Sequence, residues 1–575
     1  MEMDRRSFLK GALAAGTLAA GGVLAAPAVA GPVGAPAGGG KTAASLDEKW
    51  VFEIPPDPIP DANISETITR DIVIIGSGLA GVTCGASAVS HGVKDLVLFS
   101  AGTKPLARGG SFHAINSKYQ KSVGIDYTIE NNARHVRMEQ YIAGYKVNKQ
   151  LWARWINNSE EYANWMIDTM AAKGLQPALE LEFRDVDGLL SNPPAALNFW
   201  REGIDNARLD GAPLVAEAYA DTITDAGCDI HYSTKAIHLI REGTGPVTGV
   251  VAQKEDGSYV KYEARKAVVM ATGDFSKDPD MVAKYNPWAY KTFEDILFAD
   301  LNVNYDVEFE YNGLMDGHGQ KMGLWVGAAW QKVYPNAVMS SRGAAGPANN
   351  NGYNNFWGIN LNIHGERYHG ENTAAALGSQ SNLNQPKSTV FSIWDVNYVN
   401  TRDKWPDAAT TVDEVVGPLW ASKEETLELW DRNADRGSYY RADTIEGLID
   451  LLVAAEGINK ENALASIEKY NRWAAQGNDE EYHVDPSVLK PIDTPPFYAA
   501  ITKGMSFLTI LGGLRTNAKM QVCDEDDEPI PGLYNVGSMV GDMYGTLYSF
   551  GMSGQNLGST AGALSYMLGK DLAKL

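Results

Sequence analysis

The chain has 575 residues, 44% of them hydrophobic and 21% charged, which suits a folded protein of two or more domains with an ample core. Its formal charge of −22 speaks against nucleic acid and anionic lipid as partners. The three cysteines, Cys84, Cys228 and Cys523, lie far apart with no C-x-x-C, so an in-chain c-type haem, a four-cysteine iron–sulfur centre and a cysteine-rich zinc site are excluded and no metal is expected.

The N-terminus reads as a targeting segment. Asp4-Arg5-Arg6-Ser7-Phe8-Leu9-Lys10 is a twin-arginine signal, Gly11 to Ala26 is a weakly apolar run, and Ala28-Val29-Ala30 has the form of a cleavage site. The expectation is a signal peptide over 1–30 and export by the twin-arginine route to the periplasm or the outer face of the cell membrane. No later apolar run is long enough to span a bilayer, so no transmembrane anchor is expected after cleavage. Residues 31–67 read as a Gly/Ala/Pro-rich linker and an extended arm carrying Pro55, Pro56, Pro58 and Pro60.

Asp71-Ile-Val-Ile-Ile-Gly-Ser-Gly-Leu-Ala-Gly81 then gives a buried strand, a Gly76-x-Gly78-x-x-Gly81 loop and a helix from Val82 to His91. A second strand follows at Asp95–Phe99. This is the spacing of a dinucleotide-binding βαβ unit, in which the helix N-terminus offers free N–H groups to a pyrophosphate. Gly76, Gly78, Leu79, Ala80 and Gly81 are therefore candidate cofactor contacts. The acidic residue usual after the second strand is missing, with Phe99 or Ser100 in its place.

An α/β domain continues to a buried strand ending at Ala271-Thr272-Gly273. Helical periodicity returns at Lys321–Ala328, Thr444–Ala455 and Glu461–Gln476, around an Asn/Gly-rich loop from Gly343 to Asn360. Near the C-terminus, Pro531–Gly537 reads as a turn and short strand. Ser549-Phe-Gly-Met-Ser-Gly-Gln-Asn-Leu-Gly558 opens a last helix whose N–H groups suit a flavin edge that becomes anionic on reduction.

These pieces, together with Met315–Ala328, Gly365-Glu-Arg-Tyr-x-x-Glu371, Glu468-Lys-Tyr-Asn through Gly477-x-Asp479, and Ile530–Gly537, resemble the fumarate reductase/succinate dehydrogenase flavoprotein superfamily. The likeness is to its soluble exported branch: flavocytochrome c, urocanate reductase and gut-bacterial cardiac glycoside reductase-type enzymes. It implies an α/β fold, a Rossmann-like FAD-binding domain built from segments 68–280 and 501–575, with an inserted α+β capping domain over 281–500. It also implies non-covalent FAD, held by Ser100, Gly110, Ser111, Ala271, Thr272, Gly273, Gly537, Ser538, Ser553, Asn556 and Leu557 besides the first glycine loop. Reducing an activated C=C bond needs a hydride donor on one face and a proton donor near the other. The resemblance assigns the proton to Arg367, resupplied through Glu371.

Departures from the family narrow the substrate. Where fumarate reducers carry histidines that hold a carboxylate, this chain has Phe507-Leu-Thr-Ile-Leu-Gly-Gly513. Where a second arginine is expected it has Tyr544-Gly-Thr-Leu-Tyr548, and a capping-side histidine becomes Tyr334. A pocket lined by Tyr334, Tyr368, Tyr544 and Gly513 would favour an aromatic or polycyclic enone, or an aryl-acrylate, over fumarate. His113 is a candidate flavin contact. The chain shows neither a haem nor an FMN module, so the expected electron donor is a separate partner, a multihaem c-type cytochrome, as in anaerobic respiration. Gly537-Ser538 and Gly512-Gly-Leu-Arg-Thr516 also suit the ketosteroid dehydrogenase branch, which runs oxidatively and would depend on tyrosines such as Tyr548. A flavoprotein that only shuttles electrons is the remaining alternative.

Overall fold

The computed structural model describes residues 49–180, 195–201, 211–306, 313–334, 336–340, 358–371, 381–404, 422–504, 507–548 and 552–575. The targeting segment, the Asn349–Asn355 run and Ser549–Gly551 lie outside them. The chain starts with strand β1 (Ile64–Ile75), helix α1 (Leu79–Ser90) and strand β2 (Leu96–Phe99). Strand β3 (Phe112–His113), helix α2 (Lys149–Ala172) and strands β4 (Gln176–Leu179) and β5 (Ala196–Trp200) follow. Next come helix α3 (Ala212–Asp225), β6 (Asp229–His231), β7 (Thr234–Arg241), β8 (Val247–Lys254) and β9 (Tyr259–Met270).

Helix α4 (His318–Trp325) and β10 (Ala337–Ser340) lead into β11 (Ile359–Asn362), β12 (Thr389–Asp395), β13 (Tyr440–Ala442), α5 (Ile445–Glu456), α6 (Lys460–Gln476) and β14 (Phe497–Lys503). The last segment holds β15 (Phe507–Leu511), β16 (Gln521–Cys523), β17 (Pro529–Asn535), α7 (Gln555–Gly558) and α8 (Leu564–Leu572), with a π-turn over Ser559–Ala563 between the two helices.

The main sheet runs β16-β17-β9-β1-β2-β6, with β7 and β8 attached beside β9. β17, β9, β1, β2 and β6 are mutually parallel, so their C-terminal ends line one edge of the sheet. Such strands are buried on both faces and read as unbroken apolar runs, as Ile72–Ile75 and Ala267–Met270 do. Helix α1 is lined with small residues, and this lets it sit between the sheet and two other helices. Gly85 faces Ile223 of α3, and Gly569 of α8 lies against the Cys84 carbonyl. Cys84 is a buried core residue whose thiol burial pushes well above its usual range.

The capping unit is a four-stranded antiparallel sheet, β11-β12-β14-β13, covered by α5 and α6. Local sequence sets both helices. Thr444 and Asn459 cap their N-termini by accepting from Gly447 N and Asn462 N, and Gly457 and Gly477 end them in the left-handed region. Replacing Asn459 by Ala orphans that N–H and is expected to cost about 1 kcal/mol, read as a lower midpoint in urea unfolding at unchanged slope. The boundary expected between residues 500 and 501 falls inside β14. The strand continues through Lys503 because Tyr498 to Thr502 stay in register with β12. No described helix is long and apolar enough to cross a membrane.

Candidate active site

The parallel edge of the sheet gathers Gly76 after β1, Ser100 after β2, Ala271-Thr272-Gly273 after β9 and Gly537-Ser538 after β17. Such an edge is where an open α/β sheet binds its ligand. Gly76 turns with φ 108°, and a Cβ there would strike the Ala271 carbonyl. A Cβ at Gly81 would overlap the Gly76 carbonyl oxygen and crowd the Ala271 side chain. Gly78 is the N-cap of α1 and supplies no side-chain cap, so the first N–H groups of that helix, from Leu79, Ala80 and Gly81, are left for an anion. A pyrophosphate fits this cradle, as FAD requires.

Two expected contacts are refined. Thr272 turns its hydroxyl toward Met539 Sδ (3.5 Å) and packs on Gly319 of α4, so it offers the cradle its backbone rather than its side chain. Ser100 is fixed by its N–H donating to the His231 carbonyl at 2.9 Å, which ties the adenosine end of the edge to β6.

Toward the expected flavin ring end, a small sheet β3-β5-β4 brings Gly110 and Ser111 against the glycine turn at Ser553–Gly558. Leu557 lies along Gly109, and a Cβ at Gly554 would run into the Ser111 carbonyl. Asn556 donates its N–H to Tyr548 Oη (3.1 Å). The Tyr544 hydroxyl bonds Asn556 Oδ1 (3.2 Å), Ser559 Oγ (3.0 Å) and Thr560 Oγ1 (3.2 Å), which braces the π-turn. Burial pushes the Tyr544 phenol up to about 12 and Tyr548 higher still. Tyr544 is thus spent on the C-terminal helix instead of presenting its hydroxyl to a pocket.

His113 is fully buried, with Nδ1 on the Ser553 carbonyl (3.0 Å) and Nε2 on the Tyr127 hydroxyl (3.2 Å). Burial lowers its pKa to about 4, so it is a neutral brace with both ring nitrogens engaged. Of the other expected substrate residues, Tyr334 is 53% exposed, Tyr368 donates to Asn382 Oδ1, and Gly513 sits between the Met539 carbonyl and Gln320.

Arg367 is buried between two carboxylates. Its Nε donates to Glu371 Oε1 (2.9 Å), its Nη1 to Asp479 Oδ1 (2.9 Å), and its Nη2 lies 2.8 Å from Asp479 Oδ2. The guanidinium stands 5.4 Å from the Tyr470 ring centre and 4.9 Å from that of Tyr482, and only 1% of the side chain is exposed. Burial disfavours the cation, but Glu371 and Asp479 outweigh it and hold the arginine above its ordinary pKa. The carboxylates diverge: burial pushes Glu371 up, whereas Asp479 is held down by Arg367 and by the N–H groups of Glu481 and Tyr482. The ionised pair we stand behind is Arg367–Asp479, which has the additional backbone donors. This is a clamp inside the capping unit, binding β11 to the end of α6, and its proton is harder to release than a free arginine's. Glu371, expected to resupply a proton to Arg367, is the carboxylate that its Nε meets.

Glu180, which no sequence pattern singled out, sits immediately after β4 with 2% exposure. Its carboxyl accepts from Ser553 Oγ (2.7 Å) and from Ser111 Oγ. Burial with only these two hydroxyls to offset it raises its pKa to about 8. A carboxyl raised in the folded state binds a proton that the unfolded chain has lost, so its contribution to stability is complete below the unfolded pKa and is lost as pH rises toward 8. Glu180→Gln is therefore expected to flatten the fall in unfolding free energy between about pH 5 and 8, measured by denaturant titration at each pH.

Comparison with known proteins agrees with the cradle. A family profile for the FAD binding domain matches residues 71–554. The chain is 22% identical over 505 residues to the vinyl phenol reductase of Lactiplantibacillus plantarum, covering 85% of this chain and 93% of that protein. It is 25% identical over 582 residues to the digoxin reductase of Eggerthella lenta, covering 96% and 93%. Among solved structures, a 3-ketosteroid-Δ4-(5α)-dehydrogenase from Rhodococcus jostii superposes with a TM-score of 0.66 at 22% identity, over 90% of this chain and all of that one. A flavocytochrome c3 fumarate reductase gives 0.59 at 18%, over 92% and 82%. On the strength of the profile match and the glycine cradle, the chain belongs to the FAD binding domain family of flavoproteins and is an FAD-dependent oxidoreductase.

Proposed function

We propose that this protein reduces the activated C=C bond of an aromatic or polycyclic enone or of an aryl-acrylate, as an exported enzyme fed by a separate redox partner. The observation that carries the substrate class is that, among the described residues, the arginines of the Gly365–Glu371 element and of the Gly512–Thr516 turn are both engaged by protein acceptors. Arg367 is locked between two acids, and Arg515 is spent on the Asp524 and Glu525 carbonyls and the Glu525 and Asp527 carboxylates. The β15 stretch that replaces the family's histidines is apolar and buried at Phe507, Ile510 and Leu511. The curated relatives named for a vinyl phenol and for digoxin support the same class.

Bound FAD supplies the hydride. The chain's own part is to anchor the pyrophosphate at the N-terminus of α1 and to hold the ring end between Gly110-Ser111 and the Ser553–Leu557 turn. The twin-arginine segment and the high negative charge support export and a basic cytochrome as electron donor.

The test is anaerobic turnover of the flavin-loaded protein with reduced methyl viologen against vinyl phenols, aryl-acrylates, lactone or steroid enones, urocanate and fumarate. Dye oxidation by a bulky or aryl acceptor is expected. Turnover of fumarate at a comparable rate overturns the substrate class. Silence on every acceptor, together with dye reduction by a saturated ketosteroid, replaces the reading with the oxidative one.

A further inference from the structure

Electrons from a separate carrier need a place to enter, and one stretch of surface beside the flavin end differs from the rest. We propose that the exposed face formed by Arg137, Tyr141, Tyr145, Lys146 and Lys149 docks a haem edge of the redox partner, with the three cations on the haem propionates. This rests on the reading above that a separate haem protein feeds the FAD.

The chain carries a formal charge of −22, yet between Asn131 and Lys149 its only acid is Glu139, which is buried. Arg137 and Tyr141 stand four residues apart on the helix Ile129–Ile142, hence on one face. Lys146 lies in the turn that follows, and Lys149 opens α2. All three cations are exposed and, among the described residues, form no ion pair, whereas Lys118 and Lys121 nearby in the chain are paired with Asp168 and Glu160. Tyr141 is 68% exposed and Tyr145 52%; their rings meet edge to face at 6.1 Å, and Lys149 Nζ lies 5.0 Å from the Tyr145 ring centre. Tyr145 holds φ 56°, in the left-handed region that favours glycine. Burial of the ring does not repay that strain, which instead sets an aromatic surface among the cations.

The turn lies against the flavin end of the site. A Cβ at Gly545 would crowd Ala143 and the carbonyl oxygens of Ala143 and Lys146, so the turn packs directly on the Tyr544–Tyr548 segment. Tyr548 Oη in turn receives the Asn556 N–H. Three residues past Lys149, Trp152 donates its Nε1–H to the Met543 carbonyl (2.7 Å). Its ring stands 5.5 Å from that of Trp155, which stands 5.9 Å from His113, and His113 bonds the Ser553 carbonyl. Packed protein therefore joins the patch to the Ser553–Leu557 turn. The overall negative charge draws a basic protein from a distance, but the patch itself accepts only local negative charge. A haem edge offers what it lacks: propionate carboxylates for Arg137, Lys146 and Lys149, and a flat conjugated ring for Tyr141 and Tyr145. Each of two ferrous haems gives one electron and becomes ferric; both electrons pass to the FAD, with its protons drawn from solvent.

The probe is the haem peptide of cytochrome c, in which propionates and ring edge are exposed. Reduced to the ferrous form, it is offered in excess to the flavin-loaded protein without oxygen, and loss of flavin absorbance is followed by stopped flow. The wild-type rate is expected to saturate with haem peptide. Arg137→Glu/Lys146→Glu/Lys149→Glu is expected to lose saturation and about 10-fold or more in rate. Lys94→Glu/Lys291→Glu/Lys519→Glu makes the same change in net charge at exposed positions elsewhere and is expected to keep the wild-type rate. Esterifying the probe's propionates is expected to reproduce the loss in the wild type. Equal losses in the two triple variants, no loss in the first, or no transfer in the wild type overturns the proposal. So does a patch variant that keeps its haem rate but no longer sediments with phosphatidylglycerol vesicles as the wild type does, which assigns the face to a membrane. Flavin reduction needs no unsaturated acceptor, so a wild type that turns over none of them defeats the reductase reading and leaves this test standing. Should the first triple variant not fold, Lys146→Gln/Lys149→Gln with wild-type saturation and rate is the overturning result.

Discussion

Gly81→Ala is expected to yield protein purified without flavin, with no absorbance in the visible and no dye-linked activity. The added Cβ would occupy the position of the Gly76 carbonyl oxygen while pressing on Ala271. All three groups are backbone or first-atom positions of the β1–α1 turn and the end of β9, so no side-chain rotation relieves the overlap. Helix α1 cannot withdraw either, because Gly85 is in contact with α3 and Gly569 holds its other side. The strain therefore has to be taken up by the turn that presents N–H groups to the pyrophosphate. Overpacking of a close-packed site typically costs about 1–3 kcal/mol. A domain survives that loss, but the geometry of its anion site does not. Far-ultraviolet circular dichroism near the wild-type spectrum, together with a flavin-to-protein ratio near zero, is the expected pair of observations. A yellow, active Gly81→Ala protein contradicts the cradle.

Arg367→Ala is expected to fail by unfolding rather than by loss of a chemical step. Removing the guanidinium leaves Glu371 and Asp479 buried without their cation, and breaking a buried pair from one side costs about 3–5 kcal/mol. At roughly 2–4 °C per kcal/mol, the melting temperature of the capping unit drops by about 10 °C. Arg367→Lys is expected to recover only part of this, since an ammonium cannot span Glu371 and Asp479 in the forked geometry of the wild type. The opposite result is equally clear in thermal scans and kinetics. A variant with unchanged melting temperature and turnover reduced by several orders of magnitude returns Arg367 to the role of proton donor.

The FAD cradle was legible because its causes are local. A strand, Gly76-x-Gly-x-x-Gly81 and a helix follow one another in sequence, and the helical periodicity read over Thr444–Ala455 and Glu461–Gln476 falls within a residue of α5 and α6. The full surroundings of Arg367 were less legible because they are not local. Glu371 is four residues away and visible, but Asp479 is 112 residues along the chain, and only the fold shows that both carboxylates close on one guanidinium. Glu180 had no pattern to announce it; one acid of the run Leu179-Glu-Leu-Glu182 becomes notable only when its side chain proves buried. The misplaced boundary at 500 has a similar origin. Ala499-Ala500-Ile501 carries no break signal, and the break comes at Gly504.

The order of strands in the main sheet has a consequence for how the enzyme comes into being. β9 pairs with β17, which lies more than 250 residues later, and α8 seals the back of α1. A ribosome that has delivered everything up to β9 has made the nucleotide loop but neither the strand that flanks it nor the helix that backs it. Capture of the cofactor is thereby deferred until synthesis is over, and the slow joining of distant segments stands between translation and a competent holoenzyme.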